Sequence, residues 1–87
     1  MKVLESVKAY IDRDTTAEYR LESEEKNGDN HFSLFCQITN KRNGEGDFSR
    51  VRDICVNYRR AKEILDLLVK NRVTPCTLED VIIDLIC

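Results

Sequence analysis

Tryptophan is missing from this 87-residue sequence, and proline, glycine and histidine are rare, with one, three and one residue of each. So little proline and glycine leaves no composition for a flexible linker, and the length fits a single domain, residues 1–87. A lone histidine restricts the acid–base and metal sites that the side chains can build. These absences predict one small domain that is not an enzyme.

Long apolar runs are missing as well. No apolar run exceeds three residues, as at residues 81–83, whereas a membrane-spanning helix needs about 20. Glu5 interrupts the opening segment where a secretory signal would have its apolar region. The sequence therefore predicts a cytoplasmic protein without membrane contact.

The motifs of common enzyme and nucleotide sites are absent too, since GxxxxGK[ST], HExxH and GxSxG do not occur. The four cysteines are spaced by 19, 21 and 11 residues, without the close pairs that are typical of zinc sites. They are Cys36, Cys55, Cys76 and Cys87. We interpret them as reduced thiols and expect no catalytic residue, metal or cofactor.

The first half alternates apolar and polar residues as β-strands do, and Asn-Gly pairs at 27–28 and 43–44 separate its runs. Both central residues of a type I′ hairpin turn need positive φ, which asparagine and glycine tolerate best. We therefore expect an antiparallel meander of three or four strands. The expected strands span residues 3–11, 17–25, 31–40 and 48–56.

The strand at 31–40 has the clearest core face. Its apolar even-numbered residues are Phe32, Leu34, Cys36 and Ile38. Phe35 is the apolar exception on the opposite face. His31 also has odd parity and points away from Cys36, so we expect a solvated histidine and no Cys–His pair.

Two strands leave alternatives open. The first also fits a helical stripe, although its valines and isoleucine favour a strand. The last has two registers, of which one buries Ile54 and Val56. The other buries Val51 and Cys55 instead, and a bulge beside Gly46 would decide between them.

The second half changes to helical periodicity. Asn57 is a good N-cap for the first helix, and Asn71 is expected to end it in the left-handed conformation. Residues 74–75 are expected to be extended before the proline, and Thr77 and Asp80 then resemble a capping box. The predicted fold is α+β, an antiparallel three- or four-stranded meander followed by two helices, 58–71 and 78–87, packed on one face.

Charge is unevenly distributed in a chain whose net charge is −2, because residues 31–72 carry nine cations against five acids. Arginines concentrate around the last strand and the start of the first helix, where cations oppose the helix dipole and free amides attract anions. The candidate anion-binding residues are Arg50, Arg52, Arg59 and Arg60. The alternative is an ordinary solvated surface that nearby acids neutralise.

The last helix offers a second candidate surface. On a helical wheel, Ile83 and Cys87 fall outside the apolar stripe, and Glu79 lies on the same side. These are the candidate interface residues for an unknown protein partner or a homodimer, since small domains often cover apolar surface by oligomerising. Isolated exposed apolar residues are also common in monomers.

The segment from Val73 to Ile82 reads V-T-P-C-T-L-E-D-V-I, and it follows an Asp-Ile element at 53–54 and a predicted helix. This order, together with a V-[ST]-P-x-x-L-x-D-V-[IL] close, resembles a family of short uncharacterised Firmicute proteins, mainly clostridial. That family is a domain of unknown function, so the resemblance implies no catalytic residues.

The sequence thus favours a small non-enzymatic module for protein–protein contact or regulation. The alternative function is binding of an anion or a nucleic acid through the basic face. Neither function is expected to need a cofactor.

Overall fold

The computed structural model describes residues 2–86. Four strands form one antiparallel sheet in the order β1-β2-β3-β4, and two helices pack on one of its faces. The elements are β1 (Lys2–Tyr10), β2 (Thr15–Lys26), β3 (Asp29–Asn40), β4 (Gly46–Cys55), α1 (Tyr58–Lys70) and α2 (Pro75–Ile86). This confirms the predicted α+β meander and assigns the first segment to a strand.

The core lies between the sheet and the helices. The sheet contributes fully buried side chains such as Tyr19, Leu21 and Leu34, while α1 contributes Ile64 and Leu68. Burying one such aliphatic side chain stabilises the fold by about 1.5–3 kcal/mol. Both helices lie on the core side of the sheet. The opposite side, to which the alternate residues of each strand point, has no helix over it in residues 2–86, and we call it the open face.

The two Asn-Gly turns differ. Residues 27–28 both have positive φ, 53° and 85°, as the predicted type I′ turn requires. In the second connection, the Asn40 amide donates to the Glu45 carbonyl at 2.7 Å across a four-residue loop, and only Gly44 has positive φ. The type I′ prediction is wrong there, because the Asn43 side chain accepts from the Glu45 amide and holds a wider loop.

Local hydrogen bonds set both ends of α1. Asn57 caps α1 as predicted, since its side chain accepts from the Arg60 amide. Asn71 ends α1 with φ −92°, and the left-handed residue is Arg72 at φ 50°, so that prediction is displaced by one position. The Val73 amide then donates to the Leu68 carbonyl at 3.1 Å, which is the Schellman pattern.

The second helix begins at Pro75, three residues before its predicted start. Proline suits the first helical position because it has no amide hydrogen to leave unpaired. The Thr77 amide donates to the Thr74 carbonyl at 3.1 Å, so Thr77 lies within the first turn. The predicted capping box at 77–80 is therefore wrong.

The register of β4 combines the two alternatives. Val51 pairs with Leu34 and Cys55 pairs with Phe32, and the ladder is irregular between these pairs. The bulge lies at residues 52–54 and not beside Gly46. It places Ile54 in the core as well, while Val56 is exposed.

Candidate interaction surfaces

The edge strand β1 is the least covered element of the sheet. It pairs with β2 alone, so within residues 2–86 its outer edge has no strand beside it. Helix α1 reaches β1 through Glu5, whose carboxylate accepts from Tyr58 Oη at 3.2 Å and contacts Lys62 Nζ at 3.2 Å. Val7 and Ala9, on the helix side of the sheet, are only half-buried.

The backbone of β1 presents hydrogen-bonding groups outward. The Ile11 amide donates to the Thr15 carbonyl at 2.9 Å, so the N–H of Ile11 points toward β2. Successive residues of a strand point their N–H groups to opposite sides. Between Glu5 and Tyr10 the ladder is regular, so Ser6 and Lys8 direct their N–H and C=O groups away from the sheet.

The predicted interface on α2 lies partly within the described residues. Ile83 is 44% exposed, and Glu79 is exposed on the preceding turn. Asp80 and Asp84 are exposed as well, which makes this side of α2 acidic. Cys87 lies outside the described residues.

Two of the four candidate anion-binding arginines are engaged within the fold. Arg50 Nε and Nη2 donate to the Glu22 carboxylate at 2.7 and 3.3 Å. Arg60 Nη2 donates to the Leu85 carbonyl at 2.6 Å and joins the end of α2 to the start of α1. Arg52 and Arg59 are exposed.

The open face carries a cluster in which two arginines cover the ring of Phe35 and bind two acids. Its members are Phe35, Arg20, Arg50, Glu18 and Glu22. The guanidinium groups of Arg20 and Arg50 each lie 4.9 Å from the centroid of the Phe35 ring. Phe35 is consequently only 5% exposed although no helix covers it, and Glu22 is 4% exposed. This arrangement explains how an apolar residue is tolerated on the outward side of β3.

Glu18 binds the other arginine of this cluster. Its carboxylate accepts from Arg20 Nη2 at 2.7 Å and from Ser6 Oγ at 2.9 Å. Burial opposes ionisation of Glu18, but these hydrogen bonds outweigh it and lower the pKa of the carboxyl group. Both acids of the open-face cluster are thus neutralised internally.

Beside the cluster, the open face holds a groove of about 430 Å³. Its lining residues are Lys8, Ala9, Tyr10, Thr16, Ala17, Glu18, Gln37, Thr39 and Lys41. The Lys41 amine lies 5.7 Å from the centroid of the Tyr10 ring. Phe48, opposite Gln37 in the ladder, is 62% exposed next to this groove.

The groove was not among the surfaces predicted from the sequence. Alternation did place Phe35 outward, but the neighbours of each outward residue depend on the register across all four strands. Tyr10 pairs with Thr16, which pairs with Thr39, and Lys8 reaches Gln37 through Glu18 in the same way. The usable signal was the shared parity of these outward positions.

Cys36 is a structural thiol. It is buried and its Sγ donates to the Val73 carbonyl at 3.4 Å. Burial raises the pKa of this thiol to about 11. Cys55 is half-buried and Cys76 is exposed.

His31 points away from Cys36, as predicted, but it has a partner. Its Nδ1 lies 2.5 Å from Asp53 Oδ1, and the Asp53 amide donates to Ser33 Oγ at 3.0 Å. This pair lies at the β2–β3 turn end of the sheet, whereas the groove lies at the opposite end. Among residues 2–86, no three His, Cys, Asp or Glu side chains are placed to hold a metal ion.

The chain belongs to a family of unknown function, DUF6514, whose model matches residues 1–87. The match agrees with the predicted membership of an uncharacterised family, while the Firmicute source and the C-terminal motif stay predictions. No curated protein matches the chain, and no solved structure matches it. In the part of the chain that the structure describes, no helix has the length and apolar character to cross a membrane.

Proposed function

We propose that the protein is a non-enzymatic cytoplasmic module that acts through protein–protein contact, and that a second copy binds along β1. The observation that carries the proposal is the outer edge of β1, which no strand or helix of the described residues 2–86 covers. An uncovered edge strand is a ready template for pairing with another strand.

The sequence of β1 favours a second copy as the occupant. In a symmetric antiparallel pair, the outward-directed residues of one copy must face those of the other. The two copies would be related by a two-fold axis (a dyad) that passes through one residue of β1. A dyad at Lys8 would place the two lysines opposite each other. A dyad at Ser6 would pair Lys8 with Leu4, where the ladder with β2 is irregular. A dyad at Val7 instead pairs Ser6 with Lys8 and opposes no like charges.

This register fixes the expected strength of association. Two Ser6–Lys8 pairs supply about four backbone hydrogen bonds, each contributing about 0.5–1.5 kcal/mol net. Together with a Val7–Val7 contact, they correspond to a dissociation constant on the order of 0.1–1 mM. The dimer is therefore a weak one, and it forms at high protein concentration.

The test compares the masses of Ser6→Pro and Ser6→Ala by sedimentation equilibrium at about 0.1–1 mM, the range that the hydrogen-bond energies indicate. Both variants lose the Ser6 hydroxyl bond to Glu18, but only proline removes the outward N–H, which an edge strand tolerates. We expect the weight-average mass of wild type and Ser6→Ala to rise with concentration from 10.1 kDa, reaching about 1.5 times that value where the protein concentration equals the dissociation constant. We expect Ser6→Pro to stay at the monomer mass.

The acidic side of α2 is the competing surface in the same experiment. Ile83→Asp changes an exposed side chain and leaves the fold intact. If Ile83→Asp abolished the dimer while Ser6→Pro retained it, the contact would run through α2, and the β1 proposal would be wrong.

The basic face receives less support than the edge strand. Arg50 already donates to Glu22, and Arg60 already donates to the Leu85 carbonyl. Only Arg52 and Arg59 of the four are left to attract an anion.

A further inference from the structure

The open face brings together two exposed aromatic rings that are distant in the sequence. Tyr10 is 68% exposed on β1, and Phe48 is 62% exposed on β4. Tyr10 lines the 430 Å³ groove, and Phe48 lies beside Gln37 at its far side and packs on Phe35, with ring centroids 6.0 Å apart. Three strand spacings of about 4.8 Å put roughly 14 Å between Tyr10 and Phe48 across the sheet. Exposed rings on a flat sheet offer faces on which planar groups can stack.

Cations lie beside these rings. Lys8 and Lys41 line the groove, and within residues 2–86 neither forms an ion pair with an acidic side chain. One acid, Glu18, also lines the groove opposite Lys8 in the ladder, and its carboxylate accepts from Ser6 and Arg20. The lining thus carries two cations against one acid in a chain whose net charge is −2.

The floor between the rings carries hydrogen-bonding groups. Thr16 and Thr39 supply hydroxyl groups and Gln37 supplies an amide, each able to donate and accept hydrogen bonds. The lining also includes Ala9 and Ala17. It combines stacking surfaces, hydrogen-bonding groups and positive charge.

We infer that the open face binds a short single-stranded nucleic acid, with bases stacked on Tyr10 and Phe48 and phosphates near Lys8 and Lys41. Aromatic platforms with a positive groove are the general means of binding single strands, whose bases are free to stack. A duplex hides its bases within the helix and cannot use these rings. The distance between the rings suits a segment on the order of four nucleotides.

The test is fluorescence anisotropy with labelled 12-nucleotide dT and U strands and a 12-base-pair duplex, at 50 and 200 mM salt. We expect the single strands to bind and the duplex to bind at least 10-fold more weakly. Two phosphate contacts predict a slope of about −1.4 for log K against log salt. Equal affinity for the duplex, or no binding of either strand at 50 mM salt, would overturn the inference.

Variants separate stacking from charge. Phe48→Ala and Tyr10→Ala truncate exposed rings and are expected to weaken binding about 10-fold each, since a stacked base contributes about 1–3 kcal/mol. Lys41→Gln is expected to reduce the salt slope by about 0.7. Ile83→Asp, on the opposite side of the sheet, is the matched control and retains full affinity.

An inorganic polyphosphate competitor distinguishes a nucleic acid from a bare anion. We expect polyphosphate to displace the strand only weakly at equal phosphate concentration, because it cannot stack. Displacement as efficient as by unlabelled dT, together with no effect of Phe48→Ala, would show an anion site only and overturn the inference. Nucleic-acid binding by the Ser6→Pro variant is measured as well, so that loss of the dimer and loss of nucleic-acid binding are seen separately.

Discussion

At the scale of single residues, the open face depends on one arginine that performs two tasks. Arg50 donates two hydrogen bonds to the buried Glu22 carboxylate and places its guanidinium plane over Phe35. Lysine carries the same charge but lacks the planar fork that makes both contacts. The identity of this cation, and not its charge alone, therefore stabilises the uncovered side of the sheet.

We expect Arg50→Lys to lower the free energy of unfolding by about 1.5–3 kcal/mol, the contribution of hydrogen bonds to a charged group. Arg52→Lys is the matched control, two residues along the same strand and exposed, and it should change stability by less than about 0.5 kcal/mol. Urea denaturation followed by circular dichroism measures both. Equal effects of the two variants would contradict the assigned role of Arg50.

At the scale of elements, the loop between α1 and α2 is tied to the sheet by a single carbonyl group. The Val73 carbonyl accepts from Tyr19 Oη at 2.7 Å and from Cys36 Sγ at 3.4 Å. Burial raises the pKa of Tyr19 to about 12 from a usual 10.0. Folding therefore favours the neutral phenol.

The sign of the pH dependence follows from this shift. Below pH 10 the phenol is neutral in both states, so the stabilisation is complete. Between pH 10 and 12 only the unfolded chain ionises, and the free energy of unfolding falls. Cys36, with its pKa raised to about 11 from 9.0, adds a similar loss that starts near pH 9.

We expect Tyr19→Phe to flatten the decline of stability between pH 10 and 12, while costing about 1 kcal/mol at pH 7 for the lost hydrogen bond. Tyr10→Phe is the control, because that ring is exposed. Thermal or urea unfolding at a series of pH values measures both. An unchanged alkaline decline in Tyr19→Phe would show that folding does not raise the pKa of this phenol.

Element order and type could be predicted from the sequence, because alternation and helical periodicity report directly which faces are buried. Two of the predictions that were wrong concern the start of α2 and the bulge of β4. At each place the local sequence is compatible with more than one backbone hydrogen-bonding pattern. Pro75 starts α2 where Thr77 offered a plausible cap, and Asp53 takes φ 57° in a bulge that two registers of β4 could accommodate. Short-range patterns do not rank such alternatives.

The candidate surfaces were predictable only in part for the same reason. Ile83 could be placed outside the apolar stripe because a helical wheel needs one element alone. The groove beside Tyr10 and Phe48 requires the register of four strands at once, and the fate of Arg50 requires its neighbour Glu22 on another strand.

At the scale of the whole molecule, two helices cover one face of a four-stranded sheet, and nothing else in residues 2–86 covers the β1 edge or the open face. Pairing two copies along β1 would form one sheet of eight strands with both open faces on the same side, since a dyad perpendicular to a sheet preserves its faces. Self-association through β1 and the binding of a single-stranded nucleic acid on the open face are therefore compatible within one assembly.

The most direct test of the β1 dimer is a disulfide cross-link at its dyad. In a background with Cys55, Cys76 and Cys87 changed to serine, Val7→Cys places two thiols in a non-hydrogen-bonded antiparallel pair, about 4.5 Å apart between Cα atoms. This separation falls within the range that a disulfide accepts. Ala9→Cys is the control, since four residues of strand, about 13 Å, separate its copies in this register.

We expect Val7→Cys to give a covalent dimer under mild oxidation at about 0.5 mM protein, near the dissociation constant that the strand hydrogen bonds indicate, and Ala9→Cys to stay monomeric on a non-reducing gel. A monomeric Val7→Cys, or an Ala9→Cys that cross-links equally well, would contradict the pairing of two copies through β1.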